Sequence, residues 1–340
     1  MKYVFLVILI TYFQWSSAQA SNNSQTDFTA IDSFAQNAPN GVDRDSATIA
    51  TYLLKGCHND MEKARAVFTW IAYNIKYDDN AYNTGKVGNM SATGVIKRKH
   101  AVCEGFANLY YELATSMGLE TQIITGWAKA YGYRPGEKFT GTQPNHAWNA
   151  VKVNGRWLLL DNTWGASYAV GGRGHLMSRK VFNPYWFNVD PYEFLFMHYP
   201  QQDQWQQIVQ PVTIKQYEEM PLLNPAMFQF GFSAHDILDK SLAKTLPKQL
   251  PDVFPSKHQL KLVDFPLNGV LEPAAEATFT IICNEDVEIV FANDPKVLNP
   301  MVKLGNTYTV KMPLKRGELQ VAIKRGKSRD YEDVIRYKVK

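Results

Sequence analysis

The chain has 340 residues, 45% of them hydrophobic and 20% charged, with a formal net charge of +4. This is ordinary globular composition with length for more than one core. So slight a positive balance, without a concentrated patch, gives no basis for a nucleic-acid partner. Three cysteines are too few and of the wrong parity for a disulfide framework.

Lys2, the apolar run 3–13 and the small-x-small triplet Ala18-Gln19-Ala20 read as a secretory signal peptide over residues 1–20. The run is too short to favour a membrane span, and no later segment is long and apolar enough to be one. The chain is therefore expected to be exported, to the periplasm, the cell surface or the medium, with no stable membrane span. Residues 21–44, polar and Asn/Ser-rich, read as a mobile leader.

The first helix is expected near 46–55, ending at Gly56. In the second, Met61, Ala64, Phe68, Ile71 and Ile75 recur at helical spacing. Asn59 or Asp60 caps its start, and Lys63 and Arg65 fall on its outer side. The stretch "AVCEGFANLYYELATSMG" predicts a third helix whose apolar stripe is Phe106, Leu109, Tyr110, Leu113 and Met117. Gly118 stops it and Cys103 stands at its beginning.

Strand-like segments follow. "TQIITGWAKAYGY" is one, and "NHAWNAVKVNGRWLLLDNTWG" reads as two strands joined at Asn154-Gly155, a type I′ turn signal. That turn sets Val153 opposite Arg156, and counting outward puts Trp148 opposite Asp161. His146 and Asp161 then become diagonal neighbours on one face, about 7–8 Å apart at Cα. Gly171, Gly172 and Gly174 mark a flexible loop. Residues 183–205 are unusually aromatic and fit a core, a lid or a cleft wall. Beyond about residue 240, short alternating segments such as "TFTIICNEDVEIVFAND" and "DVIRYKVK" suggest a small β-sandwich.

The hairpin supplies an imidazole and a carboxylate; Cys103 supplies a nucleophile. A cysteine at a helix N-terminus lies among unpaired N–H groups at the positive end of the macrodipole. Lowering a thiol pKa by about 3 units requires roughly 4 kcal/mol of thiolate stabilisation. The helix end supplies about 0.3–1 kcal/mol, so an ion pair with His146 must supply most of the rest. Cys103 then attacks a carbonyl, His146 moves the proton and Asp161 orients the imidazole. The Cys103 N–H is a natural oxyanion donor. Trp127, Trp148 and Trp164 flank the site, with core packing as their default role and oxyanion or substrate-lining contact as the second. Cys283 reads as a buried strand residue and Cys57 as an inert thiol, although a Cys57–Cys283 bridge across domains stays open. Ligand-spaced histidine pairs and CxxC are both missing from the sequence, so neither metal nor cofactor is expected.

The stretches "AVCEGFANLYYELATSMGL" and "HAWNAVKVNGRWLLLDNTWG", in the order Cys, His, Asp, resemble the transglutaminase-like superfamily, whose core is a papain-like cysteine fold. "GWAKAYGY" and "FNPYWFNVDPYEFLFMHYPQQDQWQ" resemble its kyphoscoliosis peptidase branch. The resemblance implies an α+β fold: a helix bundle packed on an antiparallel sheet over residues 45–205, a connecting segment over 206–250, and an Ig-like β-sandwich over 251–340. It places Cys103, His146 and Asp161 at the catalytic positions. The implied activity is that of a secreted cysteine hydrolase, peptidase- or amidase-like, acting on a protein or peptide through a thioester acyl-enzyme. Protein-glutamine acyl transfer and a non-catalytic binding or scaffold role are the alternatives, and the β-domain is a candidate contact for a cell-surface partner.

Overall fold

The computed structural model describes residues 26–170, 174–294, 297–324 and 330–340. The expected signal peptide, residues 21–25 of the expected leader, and Gly171 and Gly172 lie outside the described residues. Among the described residues, no helix is long and apolar enough to cross a membrane.

The helices start where short polar side chains can cap them. Asp45 accepts from the Thr48 N–H at 2.7 Å to open Ser46–Leu54, and Asn59 accepts from the Glu62 N–H at 2.9 Å to open Asp60–Asn74. The helix predicted at Cys103 is Cys103–Ser116, and its stripe from Phe106 to Leu113 is buried. Gly118, at φ +83°, ends it.

The leader differs from expectation. A helix, Thr29–Gln36, buries Ile31 and Ala35 against Asp60–Asn74, so that part of 21–44 is folded onto the core. The same packing overturns the outward placement of Arg65, which is 3% exposed. Its guanidinium makes two 2.7 Å bonds to the Asp32 carboxylate and lies over the Phe28 and Phe187 rings. Helical periodicity gave Arg65 an outer position because the helix that covers that face was not recognised.

Beside the helices stands an antiparallel five-stranded sheet in the order Phe187–Val189, Arg156–Leu160, His146–Val153, Thr121–Ala128, His198–Pro200. The Cys103 helix packs on its central strand. The hairpin register is the expected one, with Val153 opposite Arg156 and pairing unbroken to Asn149 and Leu160. Asn154 and Gly155 both have positive φ, 50° and 79°. The aromatic stretch 183–205 is core: Trp186, Phe187, Phe194, Phe196 and Tyr199 are buried.

A second buried cluster joins Phe196 and Tyr199 to the helices Ile214–Glu219 and Ala234–Leu242 and to the C-terminal strands. Those strands form two sheets. One runs Leu260–Leu262, Ala274–Cys283, Thr307–Leu314, Val302–Leu304. The other runs Asp252–Val253, Tyr331–Val339, Gly317–Lys324, Ile289–Asp294, Val297–Pro300. Val270–Leu271 adds a parallel pairing to Tyr331–Val339. Phe279 of the first sheet stacks on Phe291 of the second at 4.7 Å between ring centroids.

Candidate active site

Cys103 is the first residue of its helix, and the preceding Val102 is extended and offers no side-chain cap. The N–H groups of the first turn are therefore not consumed by a capping side chain. The Cys103 thiol neighbours the His146 ring and the Ala147 N–H, and both favour its thiolate. His146 opens its strand, and its Nε2 lies 2.7 Å from Asp161 Oδ2. This leaves Nδ1 as the ring nitrogen able to exchange a proton with the thiol.

Asp161 follows the last residue of the opposing strand and caps the short helix Asn162–Ala166, its Oδ1 accepting from the Trp164 N–H at 3.0 Å. The cap fixes one carboxylate oxygen so that the other faces His146. Asn162 Nδ2 donates to the Phe68 carbonyl at 2.9 Å and ties this corner to the helix below.

The structure thus brings together the three residues singled out in the sequence. It adds a fourth, His198, whose Nε2 lies 3.0 Å from the same Asp161 Oδ2. The His198 side chain is 0% exposed, and its Nδ1 lies toward the Phe194 carbonyl without a well-formed hydrogen bond. Gly126 makes the convergence feasible. It pairs with His146 on one side and Pro200 on the other, and a Cβ there would collide with the Tyr199 carbonyl and the Trp148 ring. With no side chain in that row, the His146 and His198 rings approach to 5.5 Å and the Trp148 and His198 rings to 5.1 Å.

The tryptophans divide. Trp164 stacks at 5.3 Å on His146 and lies 4.3 Å from the His198 ring. Trp148 is buried against both histidines, with its Nε1 unpartnered. Trp127 is not brought to the cluster. Alternation sends it to the other sheet face, where Nε1 donates to Thr142 and the ring lies beside Tyr199.

Charge follows from these contacts. Burial opposes ionisation of Cys103, but the His146 hydrogen bond and charge outweigh it and hold the thiol below its ordinary value. Burial likewise opposes an imidazolium at His146, yet the Asp161 carboxylate and the Cys103 sulfur lift it to about 10. Asp161, although buried, is held well below the carboxylate range by His146 and then His198. His198 goes the other way: burial pushes it down to about 4, so it is neutral at physiological pH. The other two thiols are not activated. Burial raises Cys57 to about 11 and also raises Cys283. All three cysteines are free, which leaves the Cys57–Cys283 bridge unformed.

His146, Asp161 and His198 offer three metal-ligating atoms within 4.8 Å of one another. Ligands on a tetrahedral zinc at about 2.1 Å stand roughly 3.4 Å apart. The nitrogen–oxygen separations of 2.7 and 3.0 Å are hydrogen-bond lengths instead, and the residues as placed do not fit a metal.

The sequence does not single out His198, one ring among many in the aromatic stretch 183–205. Its signal was a titratable side chain inside the apolar run "FLFMHYP", where a buried imidazole needs a polar partner.

The chain is similar to several known proteins. The family model described as transglutaminase-like superfamily matches residues 47–162. Kyphoscoliosis peptidase of Homo sapiens is 29% identical over 226 residues, covering 65% of this chain and 33% of that protein. Hillarin of Drosophila melanogaster is 28% identical, covering 62% and 26%. Lim and transglutaminase domain protein ltd-1 of Caenorhabditis elegans is 25% identical, covering 66% and 33%. The chain spans about a third or less of the length of these relatives. Residues 47–162 therefore resemble the transglutaminase-like superfamily, and about two thirds of the chain is similar to the kyphoscoliosis peptidase branch.

Proposed function

We propose that the protein is an exported cysteine hydrolase that cleaves a peptide or other amide bond with Cys103 as nucleophile, His146 as proton carrier and Asp161 as its orienting carboxylate. The observation that carries this reading is the 2.7 Å bond between His146 and Asp161 with the Cys103 thiol beside the same imidazole, and of the three side chains Cys103 alone is partly exposed. The thiolate adds to the carbonyl, and the backbone N–H of Cys103, at the start of its helix, serves as an oxyanion donor. The imidazolium gives its proton to the leaving amine, and a thioester remains. Water, deprotonated by His146, attacks the thioester, the C–S bond breaks, the acid leaves and the thiolate–imidazolium pair is restored. An amine in place of water would make the same intermediate a transfer reaction.

We also propose that the C-terminal strands form an Ig-like module that engages a cell-surface partner. Strand order supports the Ig-like reading: Leu260–Leu262, Ala274–Cys283, Thr307–Leu314 and Val302–Leu304 follow the order A-B-E-D, while Tyr331–Val339, Gly317–Lys324, Ile289–Asp294 and Val297–Pro300, inside the edge strand Asp252–Val253, follow G-F-C-C′, with Val270–Leu271 parallel to Tyr331–Val339. The domain limits 45–205, 206–250 and 251–340 belong to the same proposal.

The test is the pH dependence of Cys103 alkylation, with Cys57 and Cys283 replaced by serine, in that background and with His146→Ala. A reactive arm persisting well below pH 7 and lost without His146 is expected. Peptide amides, with and without added amine, are then assayed for turnover. Alkylation near the free-thiol value in both proteins overturns the enzymatic reading.

A further inference from the structure

We infer that His198 is a positioning residue for the reaction, the second hydrogen-bond donor that locks Asp161 Oδ2 onto His146. This inference rests on the hydrolase reading above and deepens it.

Asp161 has no contact with solvent. A carboxylate that stays ionised under such burial needs donors on both oxygens. Oδ1 has the Trp164 N–H, and Oδ2 has His146 Nε2 and His198 Nε2. His146 keeps its Nε2–H on Asp161 while Nδ1 exchanges the reacting proton, so its ring alternates between imidazolium and neutral imidazole and the strength of its bond to Oδ2 varies through the cycle. His198 is suited to the constant role. A carboxylate oxygen accepts only, so a neutral His198 must carry its proton on Nε2 and leave Nδ1 bare. His198 Nδ1 has no hydrogen-bond partner among the described residues, which fits that tautomer.

The ring is also held so that its N–H cannot turn away. Phe194 stacks on it at 3.9 Å and 13°, while Trp148 and Trp186 meet it edge-on at 5.1 and 5.6 Å. Trp164 lies over it at 4.3 Å. Among the described residues, the charged or titratable groups acting on His198 are Asp161 and His146, and the rings packed on it are neutral. His198 comes from an edge strand 37 residues beyond Asp161, so the donor couples the far edge of the sheet to the nucleophile's partner. Without it, Oδ2 would have one partner only, and the buried carboxylate would take up a proton more readily. An Asp161 that is protonated or rotated no longer sustains the imidazolium that keeps Cys103 ionised.

The experiment compares His198→Phe and His198→Gln in the full chain carrying Cys57→Ser and Cys283→Ser, reading the rate of Cys103 alkylation by iodoacetamide from pH 5 to 10. Phenylalanine keeps a ring in the aromatic box and removes the donor. Glutamine places an amide N–H near the position of Nε2. The His198→Phe rate at pH 5.5 is expected to fall about 10- to 100-fold, with little change at pH 9.5, where the thiol ionises unaided. His198→Gln is expected to restore most of the low-pH arm, which a role in packing alone would not produce. Equal low-pH rates in the parent protein and His198→Phe overturn the inference while leaving the hydrolase reading in place. So does a His198→Gln protein as slow as His198→Phe that melts at the parent temperature. If His198→Phe does not fold, the glutamine variant decides alone: retention of the low-pH arm supports the inference, and loss of that arm in a folded protein overturns it. A parent protein with no low-pH arm overturns both readings.

Discussion

His146 and Asp161 meet at 2.7 Å because a two-residue turn fixes where their strands lie. Asn154-Gly155 sets the register, and Asp161 falls one position past the last paired residue, free to cap the next helix. The hairpin thereby combines a structural cap and the carboxylate partner of a histidine in one side chain.

Replacing Asp161 by asparagine separates these roles. Asparagine is as good an N-cap as aspartate, so the corner should hold. The charge that lifts His146 is lost, burial then dominates, and the imidazole becomes neutral near pH 7. Turnover of an amide substrate should fall by roughly 10²–10⁴-fold, and the low-pH arm of Cys103 alkylation should disappear. A melting temperature close to that of the unmodified protein, measured alongside, assigns the loss to charge.

The Arg65–Asp32 pair predicts an uneven response to truncation. Arg65 is 4% and Asp32 22% exposed at the side chain. Asp32→Ala would strand a guanidinium with almost no access to water and also remove the acceptor of the Thr69 hydroxyl. It should cost about 3–5 kcal/mol in urea denaturation. Arg65→Met should cost less, since Asp32 keeps the Thr69 bond and some water. A smaller loss for Asp32→Ala than for Arg65→Met contradicts this account.

What the sequence disclosed and what it hid divide on the same physical line. Cys103 at a helix start, the stripe from Phe106 to Leu113 and the His146–Asp161 hairpin depend on neighbours a few residues apart or on one turn. Periodicity and turn chemistry reach them. Arg65 with Asp32, 33 residues apart, and His198 with Asp161, 37 apart, are set by how finished elements pack. No local pattern distinguishes a buried Arg65 from the exposed Lys or Arg that its helical position suggests. Trp127 was misplaced for a related reason: proximity in the sequence to the hairpin said nothing about which sheet face it occupies.

His198 makes an acid-limb prediction with a definite sign. Its folded-state value is depressed to about 4 against an ordinary 6.5. Between these pH values the unfolded chain binds a proton there that the folded chain does not. Stability from this group therefore rises with pH across 4 to 6.5 and is lost as pH falls. Glu193, raised by burial to about 7, acts in the opposite sense over part of that range. The measurement is thus a difference: the fall in urea midpoint from pH 6.5 to 4.5 should be smaller in His198→Phe than in the parent protein. An identical fall in both removes His198 as its source.

Gly165 offers a last test of how the corner is held. It lies in the helix that Asp161 caps, and a Cβ there would run into the Phe68 ring. Phe68 is 0% exposed and comes from the helix whose Phe68 carbonyl anchors Asn162. The ring has little room to retreat, so Gly165→Ala should push the short helix outward and carry Asp161 with it. Overpacking of this kind costs about 1–3 kcal/mol. Because the displaced carboxylate also serves His146, the low-pH alkylation of Cys103 should weaken together with stability. Phe68→Leu removes the colliding ring edge. The double variant Gly165→Ala/Phe68→Leu should therefore recover alkylation that Gly165→Ala loses, even though Phe68→Leu alone is destabilising. Strictly additive effects on alkylation in that cycle would show that Phe68 is not what holds the Asp161 corner in place.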